Sequence, residues 1–278
     1  METDDLIAKS RWLRKELFEM VIRQGKGHIP SSFSMAEILV ALYYGGVLRF
    51  RFGEPQWPGR DRLIVSKGHA AMALYPILAD IGYFPRTELE RFTQPEGLLG
   101  MYADARVPGI EGISGSLGHG LGMAAGFCYA ARHNGVDARS FVILGDGECY
   151  EGSVWESALF AAHHGMDRLV AIVDRNHSCI LGQTEALVRM EPLEDKWRSF
   201  GWHALRVDGH DYRSLSRAFD QVGRTGGKPL AIIADTVKGK GISFMEGGVE
   251  WHNRMPSEEL VLRARADIAA SRIGAPAP

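Results

Sequence analysis

A doubly wound α/β domain, with a mainly parallel sheet flanked by helices, is the fold class this sequence predicts. Ser140–Leu144 and Leu169–Val173 are short apolar runs rich in β-forming residues, and Ser153–His164 between them has helical composition. Together they read as one βαβ unit. Beyond it, strand-like and helix-like segments keep alternating along the 278 residues, with no internal repeat and no second domain boundary. Residues 1–278 therefore read as one large domain.

The elements follow in chain order. Residues 1–24 mix Glu2, Asp4, Asp5, Lys9, Arg11, Arg14 and Lys15 with apolar residues at helical spacing, which predicts an amphipathic N-terminal helical arm rather than a signal peptide. Ser34 and Glu37 have capping-box spacing for a helix through about Tyr44. A Gly/Pro-rich connection covers 45–59, Arg62–Ser66 reads as a strand, and His69–Ile81 as a helix. Thr87 and Glu90 mark a shorter helix. Thr93–Ile113 is a long loop, a length that in a compact domain usually serves function, and it runs into a glycine-rich helix from about Leu117 to His133. After the βαβ unit, strands near His203–Val207 and Leu230–Asp235 bracket a helix near Tyr212–Gly223, and a last helix follows Ser257. Gly274–Pro278 reads as a frayed tail.

Composition narrows the class. Hydrophobic residues make up 45% and the net charge is −2, so neither a nucleic-acid surface nor a membrane span is expected. Cys128, Cys149 and Cys179 form no CxxC pair, which fits a reducing cytoplasm better than a disulfide framework. The ten histidines show no zinc spacing: His163 and His164 are adjacent, and no His-Glu-x-x-His occurs. Gly118, Gly120, Gly122 and Gly126 evoke a dinucleotide fingerprint, but no strand precedes them and Met123 fills the third glycine position. A nicotinamide site is therefore rejected.

The chemistry starts at Gly145-Asp146-Gly147 and Asn176. Parallel strands joined by a right-handed crossover end at one edge of the sheet, so Asp146 and Asn176 should face one crevice. A carboxylate, an amide oxygen and a backbone carbonyl near Ser178 suit Mg²⁺, which takes a few protein oxygens and completes its shell with water and phosphate. Flanking glycines let the backbone approach a phosphate. A tight strand-to-helix turn and an ordinary turn asparagine explain the same residues.

The longer segment Gly145–Ala158, followed by Asp174-Arg175-Asn176, resembles the thiamine-diphosphate signature of transketolases. Five further blocks resemble that family in its order: Gly27-His28, Ser66–Ala70, Pro108–Gly120, Val207–Asp211, and Thr236–Met245 ending in Glu250–His252. The resemblance implies the diphosphate domain of the thiamine-diphosphate-binding fold, with thiamine diphosphate and Mg²⁺ as cofactors and Ca²⁺ or Mn²⁺ as substitutes. Asp146, Asn176 and Ser178 would hold the metal. His69, Gly115, Ser116, Leu117, Gly147, Glu151 and His252 would join Asp146 and Asn176 around the cofactor, with Gly115 admitting it closely and Leu117 packing on an apolar part. His28, Met101 and His252 would meet substrate, and His28, His69, His252 and Glu151 would be catalytic. Glu151 by itself would complement a helix dipole; the resemblance instead puts it at a subunit interface. His119 and His210 carry weaker expectations, the latter as a turn support.

Whole transketolases carry three domains, and the chain matches the first. The resemblance thus implies half of a split transketolase, completed by a separate C-terminal pyrimidine-binding subunit in an α2β2 assembly and acting on small sugars. The implied reaction moves a two-carbon ketol unit from a ketose, or ketose phosphate, to an aldehyde, with the cofactor as electron sink. Two positions depart from the pattern. Met101 stands where the family has the His of a Gly-His-Pro motif, and Leu181 stands where it usually has Asp. Losing one substrate hydrogen bond is worth about 1–3 kcal/mol, enough to change donor preference. Two other readings are the α subunit of a 2-oxoacid dehydrogenase or decarboxylase, disfavoured by the His28, His69 and His252 blocks, and a non-catalytic stabilising subunit, for which Met101 speaks.

Overall fold

Leu169–Arg175 is buried along its whole length, the pattern of a strand covered on both faces. It is β3 of a parallel sheet containing β1 (Arg62–Val65), β2 (Ser140–Gly145), β4 (His203–Asp208) and β5 (Leu230–Asp235), in the order β1-β2-β3-β5-β4. The computed structural model describes residues 1–274; 275–278, most of the expected tail, lie outside the described residues.

Period-two alternation sorts the strand side chains into two layers. Val65, Phe141, Ile143, Val170, Ile172, Leu230 and Ile232 enter one core; Ile64, Val142, Leu144, Ala171, Val173, Ala231 and Ile233 enter the other. The first layer is closed by α1 (Thr3–Gln24), α2 (Ile29–Phe33), α3 (Ala36–Tyr44), α4 (Leu74–Asp80), α9 (Tyr212–Phe219) and α10 (Glu258–Ala270). The second is closed by α5 (Gly120–His133), α6 (Gly152–His163) and α8 (Leu193–Ser199), with the single turn α7 (Thr184–Leu187) at the rim. Among the described residues no helix is long and apolar enough to cross a membrane.

Helix α1 packs into the body of the fold. Leu13, Leu17, Phe18 and Val21 are enclosed on one stripe, and beside them Arg14 donates to both carboxylate oxygens of buried Glu37 at 2.5 and 2.8 Å. That pair replaces the expected capping box. Ser34 Oγ donates instead to the Asp174 carboxylate at 2.6 Å, and α3 starts after Met35 without a side-chain cap. Buried charges have no water to fall back on, so they claim the polar side chains that a helix end would otherwise use. The Thr87–Glu90 signal forms a 3₁₀ turn over Arg86–Arg91, not an α-helix. The glycine-rich helix starts at Gly120, and α9 stops at Phe219. At α10 the expected start is found: Ser257 Oγ accepts from the Leu260 amide at 3.5 Å.

Candidate active site

Because all five strands run the same way, their carboxyl ends share one edge, and the segments leaving that edge bring the polar groups together. Ser66–His69 follow β1, Asp146–Gly147 follow β2, Asn176–Ser178 follow β3, and Thr236–Lys238 follow β5. A cavity of about 260 Å³ opens among them, lined by Lys67, His69, Leu117, Asp146, Gly147, Asn176, Ser178, Lys238 and His252, among others.

The acidic turn and the Asn176 turn are tied to each other. Asp146 Oδ2 accepts from the His177 amide at 2.7 Å and Oδ1 from the Gly147 amide at 2.8 Å. Asn176 Oδ1 accepts from the Ser178 amide at 3.1 Å. His177 sits at φ +63, a left-handed conformation uncommon for a residue with a β-carbon, and that twist folds the turn back over β2. At Gly147 a β-carbon would stand 2.9 Å from that of Cys179, so only glycine lets the two turns approach. Burial pushes the Asp146 carboxyl up, opposed by the Arg175 guanidinium.

Beneath this layer lies a buried polar base. Asp174 accepts from Lys67, Ser34, Thr236 and the Asn176 amide nitrogen. Burial works to raise its pKa, but Lys67 and the two hydroxyls outweigh it and hold the carboxyl below its ordinary value. Glu148 plays the same part beside β2: it accepts from Ser66 Oγ, from the Gly118 amide at 2.8 Å and from the Gly145 amide at 2.9 Å. Gly120 donates to Ser66 at 3.0 Å, and a β-carbon there would collide with that serine. Three site segments are thus bound to one carboxylate.

His28, His69 and His252, each from a different part of the chain, form a nearly equilateral cluster with ring centroids 5.3, 5.4 and 5.2 Å apart. Burial, then the charges of Lys67 and its neighbours, pushes His69 down to about 2; burial, then Lys238, pushes His252 down to about 4 and also lowers His28. All three are neutral at pH 7. A neutral imidazole donates at one nitrogen and accepts at the other, the requirement for passing protons among hydroxyl groups. His28 Nδ1 is buried and has no hydrogen-bond partner among the described residues, so it is open to a ligand hydroxyl.

The other expected residues are placed as follows. Gly115 and Ser116 lie on the exposed turn before Leu117, which itself lines the cavity. Gly115 follows Ser114, whose carbonyl packs so tightly on Gly68 that a β-carbon there would overlap it. Glu151 is exposed at the start of α6 without a side-chain cap, outside the cavity lining. Met101 is half-buried, and next to it the Tyr102 ring stands 6.2 Å from that of His28. Leu181 is 79% exposed at the cavity rim. His210 does more than support a turn: Nδ1 lies 2.8 Å from Glu37 and Nε2 accepts from the Val237 amide. Ser31, Lys67, Tyr150 and Lys238 also line the cavity, and sequence reasoning misses them. Lys67 and Lys238 stand inside motifs that draw attention for their histidines; a cation in the same block as a cavity-lining histidine is the available signal.

Comparison with known proteins supplies the context. Residues 5–269 match the family described as "Transketolase, thiamine diphosphate binding domain". The chain is 40% identical over 265 residues to the 6-deoxy-6-sulfo-D-fructose transketolase subunit SqwG of Clostridium sp. (strain MSTE9), covering 95% of this chain and 96% of that one. It is 37% identical over 259 residues to an apulose-4-phosphate transketolase subunit of Phocaeicola vulgatus, covering 93% and 92%. The crystal structure of transketolase from Campylobacter jejuni superposes with a TM-score of 0.91 at 29% identity, over 98% of this chain but only 44% of that one.

Proposed function

This chain belongs to the transketolase family, and from that premise we propose that it is the cofactor-binding subunit of a split transketolase, transferring a two-carbon ketol unit from a ketose or ketose phosphate to an aldehyde together with a second chain. The observation that carries the reading is the pairing of the built cavity with coverage: the chain spans nearly all of two relatives named as transketolase subunits and less than half of a solved transketolase.

The residues present fit thiamine diphosphate and a divalent cation. Asp146, Asn176 and the Ser178 carbonyl are hard oxygen donors on adjoining turns, suited to Mg²⁺ and usable by Ca²⁺ or Mn²⁺. Lys67, Lys238, His69 and the Gly145–Gly147 backbone surround that position with donors for a diphosphate, and Leu117 offers an apolar wall. When bound, the cofactor supplies the electron sink for breaking the bond beside the ketose carbonyl. The chain's own side chains do the rest. Neutral His28 and His252 hydrogen-bond sugar hydroxyls and move protons to and from them; buried Lys67 and Asp174 keep the floor rigid; Leu117 walls the cavity, and Ile180 excludes water once its mouth is covered.

A partner subunit is supported by the rim. Ile180 and Leu181, 63% and 79% exposed, stand at the mouth of the cavity, with exposed Leu187 and Val188 on the adjoining segment. Such an apolar rim around a polar site needs a covering surface. The pyrimidine-binding chain of an α2β2 assembly fits that need, with Glu151, exposed and packed beside Gly118, as a contact to it. The deciding experiment co-expresses the chain with the product of the adjacent reading frame and screens ketose donors. Ketol transfer only in the mixture is expected; robust turnover by this chain alone, or 2-oxoacid decarboxylation by the mixture, would overturn the reading.

A further inference from the structure

A chain of buried polar contacts runs from α1 to the cavity and ends on His252. Arg14 and Glu37 are both enclosed, and Glu37 Oε2 also lies 2.8 Å from His210 Nδ1. The other imidazole nitrogen, Nε2, accepts from the Val237 amide at 2.9 Å, so Nδ1 is the one bearing hydrogen and donates to Glu37. Arg14 Nε donates to the Lys240 carbonyl at 2.9 Å. The backbone is therefore gripped on both sides of Lys238, at Val237 and at Lys240. Two further bonds close the grip: Gly239 donates to the Pro30 carbonyl at 3.0 Å, and the Lys238 carbonyl accepts from Gly247 at 2.8 Å. Gly239 sits at φ +79, where a β-carbon would strike the Met245 carbonyl, so this loop is built for one conformation.

What the grip presents is the Lys238 side chain, 1% exposed, with Nζ 3.0 Å from Nδ1 of His252. An ammonium group has three donors and no acceptor, so Nδ1 must be the acceptor and the ring proton must reside on Nε2. We propose that Lys238 is a positioning residue that fixes His252 as its Nε2–H tautomer, and that the buried Arg14–Glu37–His210 array holds Lys238 in place to do so. The tautomer decides which partner His252 serves: with the hydrogen on Nε2, it supplies a hydrogen bond to a substrate or cofactor oxygen, and it gives that proton up only as Lys238 delivers one to Nδ1, so the ring stays neutral. Lys67, His28 and His69 also face the pair, and burial, with the charges around it, keeps His252 neutral. Burial and then Lys67 pull the Lys238 ammonium down to about 8, against the opposing charges of Asp146 and Asp174, so it still carries its proton at pH 7.

The functional meaning of this tautomer rests on the transketolase reading, but the tautomer is measured without cofactor, partner or turnover, so the two fail separately. Nitrogen-15 NMR of the histidine-labelled full-length chain, with His252 assigned from a His252→Gln spectrum, reports which ring nitrogen carries the proton. A single Nε2–H form is expected, retained in Lys238→Arg and lost to a mixture of tautomers in Lys238→Met. His210→Ala is expected to loosen the same signal in the same direction. A wild-type His252 protonated on Nδ1 overturns the proposal whatever the variants do, and so does a folded Lys238→Met chain whose His252 spectrum is unchanged.

Discussion

Arg175 Nη1 donates to Asp146 Oδ2 at 2.8 Å, and neither side chain is open to solvent. The same guanidinium also reaches Thr184, Glu185 and Glu191. The carboxylate expected to hold a metal is thus already aimed by a fixed cation, at the expense of part of its negative charge. A site of this kind is preorganised: the ligand does not wait for the metal to be oriented.

Substitution at Asp146 should therefore have two separable effects. Asp146→Ala is expected to abolish Mg²⁺-dependent thiamine diphosphate binding and to lower stability by roughly 3 kcal/mol, the lower end for breaking a buried pair, because Glu185 and Glu191 still compensate Arg175. Asp146→Asn keeps an acceptor for Arg175 and should lose the binding with a smaller stability change. Calorimetric titration and urea unfolding separate the two, and unchanged affinity in either variant would remove Asp146 from the metal site.

The strand-to-turn junctions at Asp146 and Asn176 were legible because parallel topology forces successive strands to end together, so local sequence predicts a long-range meeting. The histidine cluster was legible only through resemblance to transketolases, since nothing in the spacing of His28, His69 and His252 indicates rings 5.2–5.4 Å apart. Ser34 and Glu37 misled for a physical reason: a capping box is a local competitor, and Asp174 and Arg14, distant in sequence, made stronger demands on the same side chains. Lys67 was illegible because lysines are usually solvated, and its burial depends on Asp174, 107 residues away.

Met101 tests donor choice. It is half-buried, and the neighbouring Tyr102 ring is 6.2 Å from His28. If an imidazole at this position normally binds the donor, Met101→His should raise kcat/KM for ordinary ketose phosphates by about 10-fold or more, the equivalent of one recovered hydrogen bond. A donor profile that does not move in the assembled enzyme would mean that Tyr102 or the partner already fills the role.

Glu37 governs acid stability in a low window. Burial works to raise its pKa, but Arg14 and His210 outweigh it and hold the carboxyl down to about 2, against an ordinary 4.5. Its contribution is then complete above about pH 4.5 and is lost as pH falls toward 2. The wild-type chain should lose roughly 2 kcal/mol through this group between about pH 5 and 3. Glu37→Gln should unfold more readily at neutral pH, because Arg14 is left unpaired, and show a shallower loss over that interval. Parallel stability curves for the two proteins would show that the pair does not titrate as described.

His69 acts in a higher window with the same sign. Its folded pKa lies at about 2, chiefly through burial, whereas the ordinary value is 6.5, so below pH 6.5 the unfolded chain takes up a proton that the folded chain refuses. More protons bound on unfolding means stability that falls as pH falls, here by at most about 1.4 kcal/mol per pH unit. Between about pH 7 and 5 that amounts to roughly 2 kcal/mol, well above the range where Glu37 titrates. His28 and His252 change in the same direction and remain in a His69→Gln variant, so the difference between wild type and variant isolates His69. Urea midpoints at about pH 7 and pH 5 should show the wild type losing roughly 2 kcal/mol more than His69→Gln. Equal losses would mean that His69 protonates freely in the folded chain, and a charged imidazole in the cluster would then be available to substrate.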